Sequence, residues 1–360
     1  MTQTPPPGVP PQQPQYPGVP GAQAPREARG VAFFVAIFLG LLLLASAGLN
    51  VLLLLLSLGS IASGGLGDPD SGVFDEVFVA GVRGGEHKVL QVRIEGAIAE
   101  GANPLLGAAG GTVSQVQRAL RYARNEGVEG LLLYVNSPGG GVTDSDRIYQ
   151  AIRRFRNEHP EVAVCALFGD MAASGGYYVG VAAEQIFARR TGITGSIGVI
   201  MSAWNFAELA KEHGVEQVAI KSDRTPYKDM LSPTRKMTDA ERAMLTGIVD
   251  EFYDQFVDVV VEGRGMPRDD VVRAANGGIY TARQAVDLGL VDALGDHLDV
   301  VAWFEGKLGH EVTIVERRRR PGLGDLLFGS LTSARATGPL DQLLTSSTGP
   351  RFLYYWQGGR

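Results

Sequence analysis

Cysteine and histidine are scarce in this chain, and their scarcity limits the chemistry open to it. The single cysteine, Cys165, lies in an apolar run and excludes an intrachain disulfide. None of the five histidines belongs to a motif with metal-ligand spacing, and the sequence contains no CxxC and no HExxH. We therefore expect no bound metal and no cofactor.

An excess of positive charge is also absent. The chain has 33 lysines and arginines against 39 aspartates and glutamates, a net charge of -6, whereas proteins that hold nucleic acid by its phosphates carry basic patches. We therefore expect no nucleic acid among its partners. Five histidines leave a Ser-His-Asp triad open, but none of them lies in a recognisable catalytic motif.

The N-terminal segment does not have a globular composition. Residues 1–29 are rich in Pro and Gln, which predicts a disordered tail. Residues 30–59 form an apolar run that is long enough for one transmembrane helix. Arginines precede this run and acidic residues follow it, so the positive-inside rule predicts a cytoplasmic N-terminus and an extracytoplasmic remainder. A cleaved signal peptide is the alternative, since Ala45-Ser46-Ala47 has the form of a cleavage site.

Further along the chain, short β-rich runs alternate with helical stretches, the pattern of an α/β domain built from crossover units. The pattern predicts a linker over residues 60–85, a folded domain over residues 86–316 and a C-terminal tail over residues 317–360. The predicted strands are Val89–Ile94, Gly130–Val135, Val162–Phe168 and Gln185–Ala188, and the predicted helices are Val113–Asn125, Ser145–Arg156, Asp239–Glu262 and a short one after Thr281.

Three glycine-rich segments are predicted near the ends of strands, where open α/β sheets place their sites. In residues 136–141, consecutive glycines would let backbone amides approach an oxyanion, although a plain turn explains them too. Ser174 lies between a predicted strand and a helix, where free amides favour a developing negative charge; an ordinary N-cap is the alternative. In the third segment, Ser196 could orient a lysine or simply occupy a turn.

A serine nucleophile needs a base, and lysine is the candidate that remains without a histidine in a catalytic motif. Of the six lysines, Lys221 and Lys228 lie in one loop before the long predicted helix. A lysine acts as a base near neutral pH only in a desolvated pocket. Spacing alone does not choose between the two.

Six motifs in a fixed order resemble those of the bacterial signal peptide peptidase A (protease IV) family, of the single-repeat type. They run along the chain as Ile94-Glu95-Gly96-Ala97-Ile98, Asn136-Ser137-Pro138-Gly139-Gly140, Met171-Ala172-Ala173-Ser174-Gly175-Gly176-Tyr177-Tyr178, Thr194-Gly195-Ser196-Ile197-Gly198-Val199-Ile200, Tyr227-Lys228-Asp229 and Tyr280-Thr281-Ala282-Arg283-Gln284-Ala285. The resemblance covers most of the predicted folded domain.

The resemblance implies an α/β Clp-protease/crotonase-like fold of stacked ββα units and a Ser-Lys dyad. By the match of motifs, Ser174 would be the nucleophile and Lys228 the general base. Ser196 would orient the catalytic lysine. The backbone amides of Gly140 and Gly175 would form the oxyanion hole.

The resemblance also implies a membrane-anchored serine endopeptidase that hydrolyses apolar peptides such as remnant signal peptides, with its catalytic domain outside the cytoplasmic membrane. A homo-oligomeric ring is expected, in which the serine of one subunit meets the lysine of its neighbour. Two alternatives remain: a crotonase-like acyl-CoA enzyme, because the fold and the paired backbone amides are shared, and a non-catalytic membrane scaffold. The anchor and the Ser-Lys pair argue against the first alternative, and the presence of both dyad residues argues against the second.

Overall fold

The structure, a computed structural model, describes residues 28–64, 74–100, 111–319 and 352–355. The chain divides into one unit within residues 1–69 and a second within residues 70–360. Most of the tail predicted over residues 1–29 lies outside the described residues. Residues 320–351 and 356–360 of the predicted C-terminal tail also lie outside them.

The first unit contains one long helix, α1 (Ala28–Gly64). Its segment Phe33–Leu54 is 22 residues long, apolar and without a charged side chain. At about 1.5 Å per residue it extends about 33 Å, against a hydrocarbon core about 30 Å thick. The one side-chain amide of this segment, on Asn50, donates to the carbonyl of Ser46 at 2.7 Å and is satisfied within the helix. By length and composition, this helix could cross a membrane.

The second unit is built on a mixed sheet flanked by helices. Its strands are β1 (Phe74–Gly81), β2 (Lys88–Glu95), β3 (Gly130–Ser137), β4 (Gly139–Gly141), β5 (Ala163–Ala173), β6 (Gln185–Ala188), β7 (Ile193–Gly195), β8 (Ile200–Met201), β9 (Ile279–Thr281), β10 (Ala293–Leu294), β11 (Thr313–Arg319) and β12 (Phe352–Tyr355). The main sheet has the order β1-β11-β2-β3-β5-β6-β10, and β7 and β9 extend it from the end of β5.

The helices of the second unit are α2 (Thr112–Glu126), α3 (Val142–Glu158), α4 (Gly175–Gly180), α5 (Ala207–Glu212), α6 (Asp239–Arg264), α7 (Arg268–Ala274), α8 (Ala282–Asp287) and α9 (His297–Leu308). The capping box predicted for α6 is present: the Thr238 hydroxyl accepts from the amide of Glu241, whose carboxylate accepts from the amide of Thr238. The helix ends before Gly265, which has a φ of 62°. Local residue chemistry therefore sets both ends of this helix.

The central strands of the sheet are buried on both faces. In β3, Leu131 and Leu133 belong to a core beneath α2, α3 and α4, whereas Leu132 and Tyr134 point to the opposite face, which α9 covers through Phe304. This alternation is the period-two geometry of a strand, and the continuous apolar run is typical of a parallel sheet covered on both sides. Most pairings in this sheet are indeed parallel.

Two strands cross the predicted domain boundaries. β1 lies within residues 60–85, which were predicted as linker, and pairs antiparallel with β11, which runs past residue 316. β1 is an edge strand whose side chains are mostly half-buried, so it lacks a clear apolar alternation. Its partner is also more than 200 residues away in sequence, and sequence patterns detect such distant pairing poorly.

A second, three-stranded sheet forms beside the first, with the order β4-β12-β8. β12 comes from the predicted C-terminal tail and pairs antiparallel with both neighbours, so that its residue 353 faces Gly141 on one side and Ile200 on the other. β4 consists of three glycines, a sequence that does not predict a strand. The C-terminal segment thus completes a sheet at the edge where the glycine-rich segments lie.

Candidate active site

Ser174 occupies a sharp turn between β5, which ends at Ala173, and α4, which begins at Gly175. Its φ is 54° and its ψ is -117°. Among the residues that the structure describes, Ser174 and Ser196 are the two non-glycine residues with positive φ. Such a conformation costs on the order of 1–3 kcal/mol and persists only where the surroundings impose it. Both serines selected from the sequence therefore lie at strained positions.

Backbone hydrogen bonds hold the Ser174 turn on both sides. The Ser174 amide donates to the carbonyl of Gly195 at 2.8 Å, and the Ser174 carbonyl accepts from the amide of Tyr178 at 2.9 Å. The first bond continues the parallel pairing of β5 with β7, and the second is the first helical bond of α4. Ser174 is 1% exposed in the isolated chain. The turn is therefore fixed by the sheet and the helix together.

Ser196 lies directly after β7, beside the Ser174 turn. The pairing of Ala173 with Gly195 brings the two serines to the ends of adjacent strands. The Ser196 amide donates to the carbonyl of Gly278 at 2.7 Å, which ties this strand end to the segment before β9. The structure thus places the predicted nucleophile and the predicted lysine-orienting serine next to each other along the sheet.

The Gly140 amide points to the side of β4 where β12 lies. The neighbouring groups bond the opposite side: the Ile98 amide donates to the Gly139 carbonyl at 2.9 Å, and the Gly141 amide donates to the Ile98 carbonyl at 3.0 Å. Because backbone groups alternate along a strand, the polar groups of Gly140 face away from Ile98. A Cβ at position 140 would lie 1.9 Å from the Ile98 carbonyl oxygen, so only glycine fits there.

Gly175 begins α4, so its amide is one of the N–H groups that a helix start leaves without an intrahelical partner. The helix packs closely on the end of β3, where a Cβ on Gly176 would lie 2.8 Å from the Ser137 carbonyl oxygen. The Ser137 hydroxyl donates to the Gly96 carbonyl at 2.6 Å and accepts from the Gly139 amide at 3.1 Å. The segments that carry both predicted oxyanion donors are therefore packed together.

The two candidate lysines differ in their partners. Lys221 Nζ donates to the carboxylate of Asp229 and, at 2.7 Å, to the carbonyl of Pro226. Lys228 is exposed, and its Nζ forms no hydrogen bond or ion pair with any residue that the structure describes, Ser174 included. Lys221 is thus engaged by a carboxylate, whereas Lys228 is available to a substrate or a partner subunit. The structure does not bring Lys228 to the Ser174 hydroxyl within one chain.

Comparisons with known proteins find relatives among proteases. Residues 156–310 match the model of Peptidase family S49, and residues 111–196 match that of Clp protease. A protein of Synechocystis sp., provisionally named protease slr0021, is 37% identical over 229 residues, which cover 64% of this chain and 77% of the relative. The chain belongs to peptidase family S49.

Other relatives of this S49 peptidase carry related names. A protein of Enterococcus faecium, provisionally named signal peptide peptidase SppA, is 35% identical over 251 residues, which cover 66% of this chain and 71% of the relative. The chloroplastic serine protease SPPA of Arabidopsis thaliana is 28% identical over 257 residues, 69% of this chain and 37% of the relative. The predicted family is therefore confirmed, and so are the Clp-protease-like α/β fold and the serine-type protease activity.

One ion-pair network holds the loop of the S49 peptidase that contains Lys221 and Lys228. Arg235 Nη2 donates to the backbone carbonyl and to Oδ1 of Asp229, both at 3.0 Å, and Nη1 donates to Glu241 Oε2 at 2.9 Å. Arg235, and after it Lys221, hold the pKa of the Asp229 carboxyl well below its usual range. Arg235 also lowers the pKa of Glu241 to about 2. The residue next to Lys228 is thereby fastened to the first turn of α6.

This network was not predicted from the sequence. Its members are a carboxylate and a guanidinium in one loop, six residues apart, and a glutamate that the capping motif already explains. The only signal in the sequence is the closeness of opposite charges, which is common in exposed loops. The network matters here because it restricts the loop that carries the candidate base.

The strained turn leads to a prediction for stability. We expect the free energy of unfolding of Ser174→Gly to exceed that of Ser174→Ala by about 1 kcal/mol, because glycine adopts positive φ without a Cβ clash. Ser174→Gly should therefore unfold at a higher urea concentration. Both variants lack the hydroxyl, so their difference reports on the backbone alone. Circular dichroism of the full chain in detergent, recorded through a urea titration, measures it.

Ser145, inside α3, provides the matched control. There the order should reverse, with Ser145→Ala more stable than Ser145→Gly by about 1 kcal/mol, because glycine is unfavourable within a helix. Equal stability of the two Ser174 variants, with the expected order at Ser145, would contradict the strained turn.

Proposed function

We propose that this S49 peptidase is a membrane-anchored endopeptidase with a Ser174-Lys228 dyad that cleaves apolar peptides, remnant signal peptides among them. The observation that carries the proposal is β12: an extended segment lies antiparallel between β4 and β8, beside the Gly140 amide. A peptide substrate in that place would pair with the same two strands. Adding a strand to a sheet is a common mode of peptide recognition, in which backbone bonds supply affinity.

The side chains around this place favour apolar substrates. A groove next to β8 is lined by Trp204, Met230, Leu231 and Leu245, among other residues. When a peptide adds a strand to a sheet, apolar pockets beside that strand bind alternate side chains of the peptide and give specificity. Signal peptides contain an apolar stretch of about 7–15 residues, which suits such a groove.

The proposed reaction is acyl transfer. Neutral Lys228 takes the proton of the Ser174 hydroxyl as Oγ attacks the scissile carbonyl, and the amides of Gly140 and Gly175 stabilise the oxyanion. The C–N bond then breaks, and the lysine ammonium returns the proton to the leaving amine. A water molecule, deprotonated by the same lysine, then attacks the acyl group; the ester bond to Ser174 breaks, and the lysine ammonium returns its proton to Ser174 Oγ. Ser196 donates to or accepts from the lysine amine and so orients it.

Exposed apolar residues in the segment that leads to Lys228 support an assembly in which a second subunit covers this lysine. Trp204 is 74% exposed, Val218 77%, Ile220 97% and Tyr227 39%. So much apolar surface in one region of a chain is typical of an interface. A neighbouring subunit on this surface would desolvate Lys228 and supply the Ser174 that it serves. We therefore infer a homo-oligomeric ring with dyads shared between subunits.

The apolar helix α1 supports membrane anchoring. Arg26 and Arg29 precede its apolar segment Phe33–Leu54, and acidic residues follow the helix, which favours a cytoplasmic N-terminus and a catalytic unit outside the cytoplasmic membrane. Anchoring there would hold the active site near peptides that leave the bilayer. The name of the Enterococcus faecium relative, signal peptide peptidase, supports the same substrate class.

The two lysines give a discriminating test of the base. We expect Lys228→Ala to lower kcat/KM for an apolar fluorogenic peptide by about 10²–10⁴-fold, because the general base is lost. Lys221→Ala is the matched control, from the same loop, and should keep kcat/KM within about tenfold because it removes only a tether. Near-normal activity of Lys228→Ala, or loss in Lys221→Ala alone, would contradict the proposed dyad.

Mixed oligomers test whether the dyad is shared. Ser174→Ala and Lys228→Ala should each be inactive, but a 1:1 mixture, coexpressed so that subunits assemble at random, should recover about a quarter of wild-type activity. A quarter is expected because each site then needs an intact serine from one subunit and an intact lysine from the next. Mixing Ser174→Ala with the double variant should recover nothing. A dyad within one chain would leave both mixtures inactive.

Truncation tests whether the substrate takes the place of β12 between β4 and β8. Removing residues 352–360 should lower KM for an apolar peptide several-fold without changing kcat, because β12 and the peptide compete for the same strand edges. Removing residues 356–360 alone leaves β12 and should leave KM unchanged. An equal KM for both truncations would show that β12 does not compete with the substrate for the edges of β4 and β8.

A further inference from the structure

Three residues that the proposed mechanism leaves unused meet at the edge of the main sheet opposite Ser174. His87 precedes β2, Glu129 precedes β3, and His310 lies shortly before β11. These strands are parallel neighbours in the sheet, so the residues that precede them lie side by side at their N-terminal edge. Ser174, by contrast, follows the C-terminal end of β5, the edge at which α/β enzymes place their active sites.

Backbone hydrogen bonds fix two members of this His87-Glu129-His310 cluster. The His87 carbonyl accepts from the amide of Thr313 at 2.8 Å, and the Glu129 amide donates to the carbonyl of Lys88 at 2.9 Å. These bonds extend the pairing of β2 with β11 and with β3 by one residue. His87 and Glu129 therefore stand on the rigid sheet, and His310 comes from the connection between α9 and β11.

The side chains of the cluster meet through the Glu129 carboxylate. Glu129 Oε1 lies 2.7 Å from His87 Nδ1, and Glu129 Oε2 lies 2.8 Å from His310 Nε2. The two imidazole rings stack with their centroids 3.7 Å apart and an angle of 24° between their planes. One donor atom from each residue falls within 4.8 Å of the others. Each side chain is about one-third to one-half exposed, so an ion from solvent can reach the cluster.

We propose that His87, Glu129 and His310 bind one divalent transition-metal ion, with Zn²⁺ the best match to the donor set. Two imidazole nitrogens and one carboxylate oxygen are ligands that Zn²⁺ takes at about 2.0–2.2 Å, whereas Ca²⁺ and Mg²⁺ favour oxygen ligands. The bond from His310 Nδ1 to a backbone carbonyl is the outer-shell contact that metal-binding histidines usually make. Water would complete the coordination on the exposed side.

Binding requires the side chains to rearrange. Tetrahedral ligands at about 2.0–2.1 Å from zinc lie about 3.3 Å from one another, so the two contacts to Glu129 must open by about half an ångström. The two rings must also turn out of their stack, because an imidazole lone pair lies in the ring plane and one ion has to lie near both planes. The half-exposed side chains have room to rotate. The ion would then cross-link β2, β3 and the segment that leads into β11. This proposed site differs from the sequence-based expectation of no bound metal, because His87 and His310 come together only through the pairing of strands in the sheet.

Zinc titration of the full chain in detergent tests the proposal, with any affinity tag removed and the protein stripped with a chelator. Calorimetry should show one Zn²⁺ per chain, and Tm should rise by several degrees with Zn²⁺ but not with equimolar Mg²⁺. His87→Gln and His310→Gln should each weaken binding at least about tenfold. His213→Gln, at an exposed histidine after α5, is the matched control and should bind like wild type.

Chemical modification of the wild type gives a readout that does not depend on the folding of variants. Diethyl pyrocarbonate, mapped by mass spectrometry, should modify His87 and His310 in the chelated protein several-fold faster than in the zinc-loaded protein, with His213 equally reactive in both. Absence of zinc binding, or zinc binding that neither protects these two histidines nor weakens in His87→Gln and His310→Gln, would overturn the proposal.

Discussion

The turn that holds Ser174 at positive φ is the constraint on which the arrangement of the site depends. A non-glycine residue leaves this conformation unless its neighbours hold it there. Here the amide of Ser174 is bonded to the end of β7, and its carbonyl begins α4. α4 is in turn buried on all sides, and its Tyr177 hydroxyl donates to the carbonyl of Leu290 at 2.9 Å. The main sheet, the buried helix and the segment after α8 therefore all contribute to the position of one hydroxyl.

The candidate base is held in a different manner. The loop that carries Lys228 is exposed, and the Asp229-Arg235-Glu241 network joins it to α6. The candidate nucleophile is thus rigid within one chain, whereas the proposed base would depend on a surface contact for its desolvation. Under the proposed mechanism, hydrolysis would require assembly, and isolated subunits would have little activity. A covering subunit would also account for the large exposed apolar side chains between Ile200 and Tyr227.

The parts of the fold that sequence could predict are those whose signals are local. The α6 capping box and the apolar run of β3 both formed as predicted, because neighbouring residues alone determine them. The pairing of β1 with β11, the glycine strand β4 and the place of β12 were not predicted, since each depends on a partner distant in the chain. The candidate site divides in the same way. The order of motifs selects both Ser174 and Lys228, but the ion pair that engages Lys221 with Asp229 is seen only in the structure.

Covalent trapping is the sharpest test of Ser174 as the nucleophile of this serine peptidase. Purified full-length protein in detergent would be treated with a fluorophosphonate, digested and mapped by mass spectrometry. We expect a single phosphonylated residue, Ser174, with labelling that an apolar peptide substrate slows. Labelling of a different serine, or peptide hydrolysis that is abolished while Ser174 stays unmodified, would rule Ser174 out as the nucleophile.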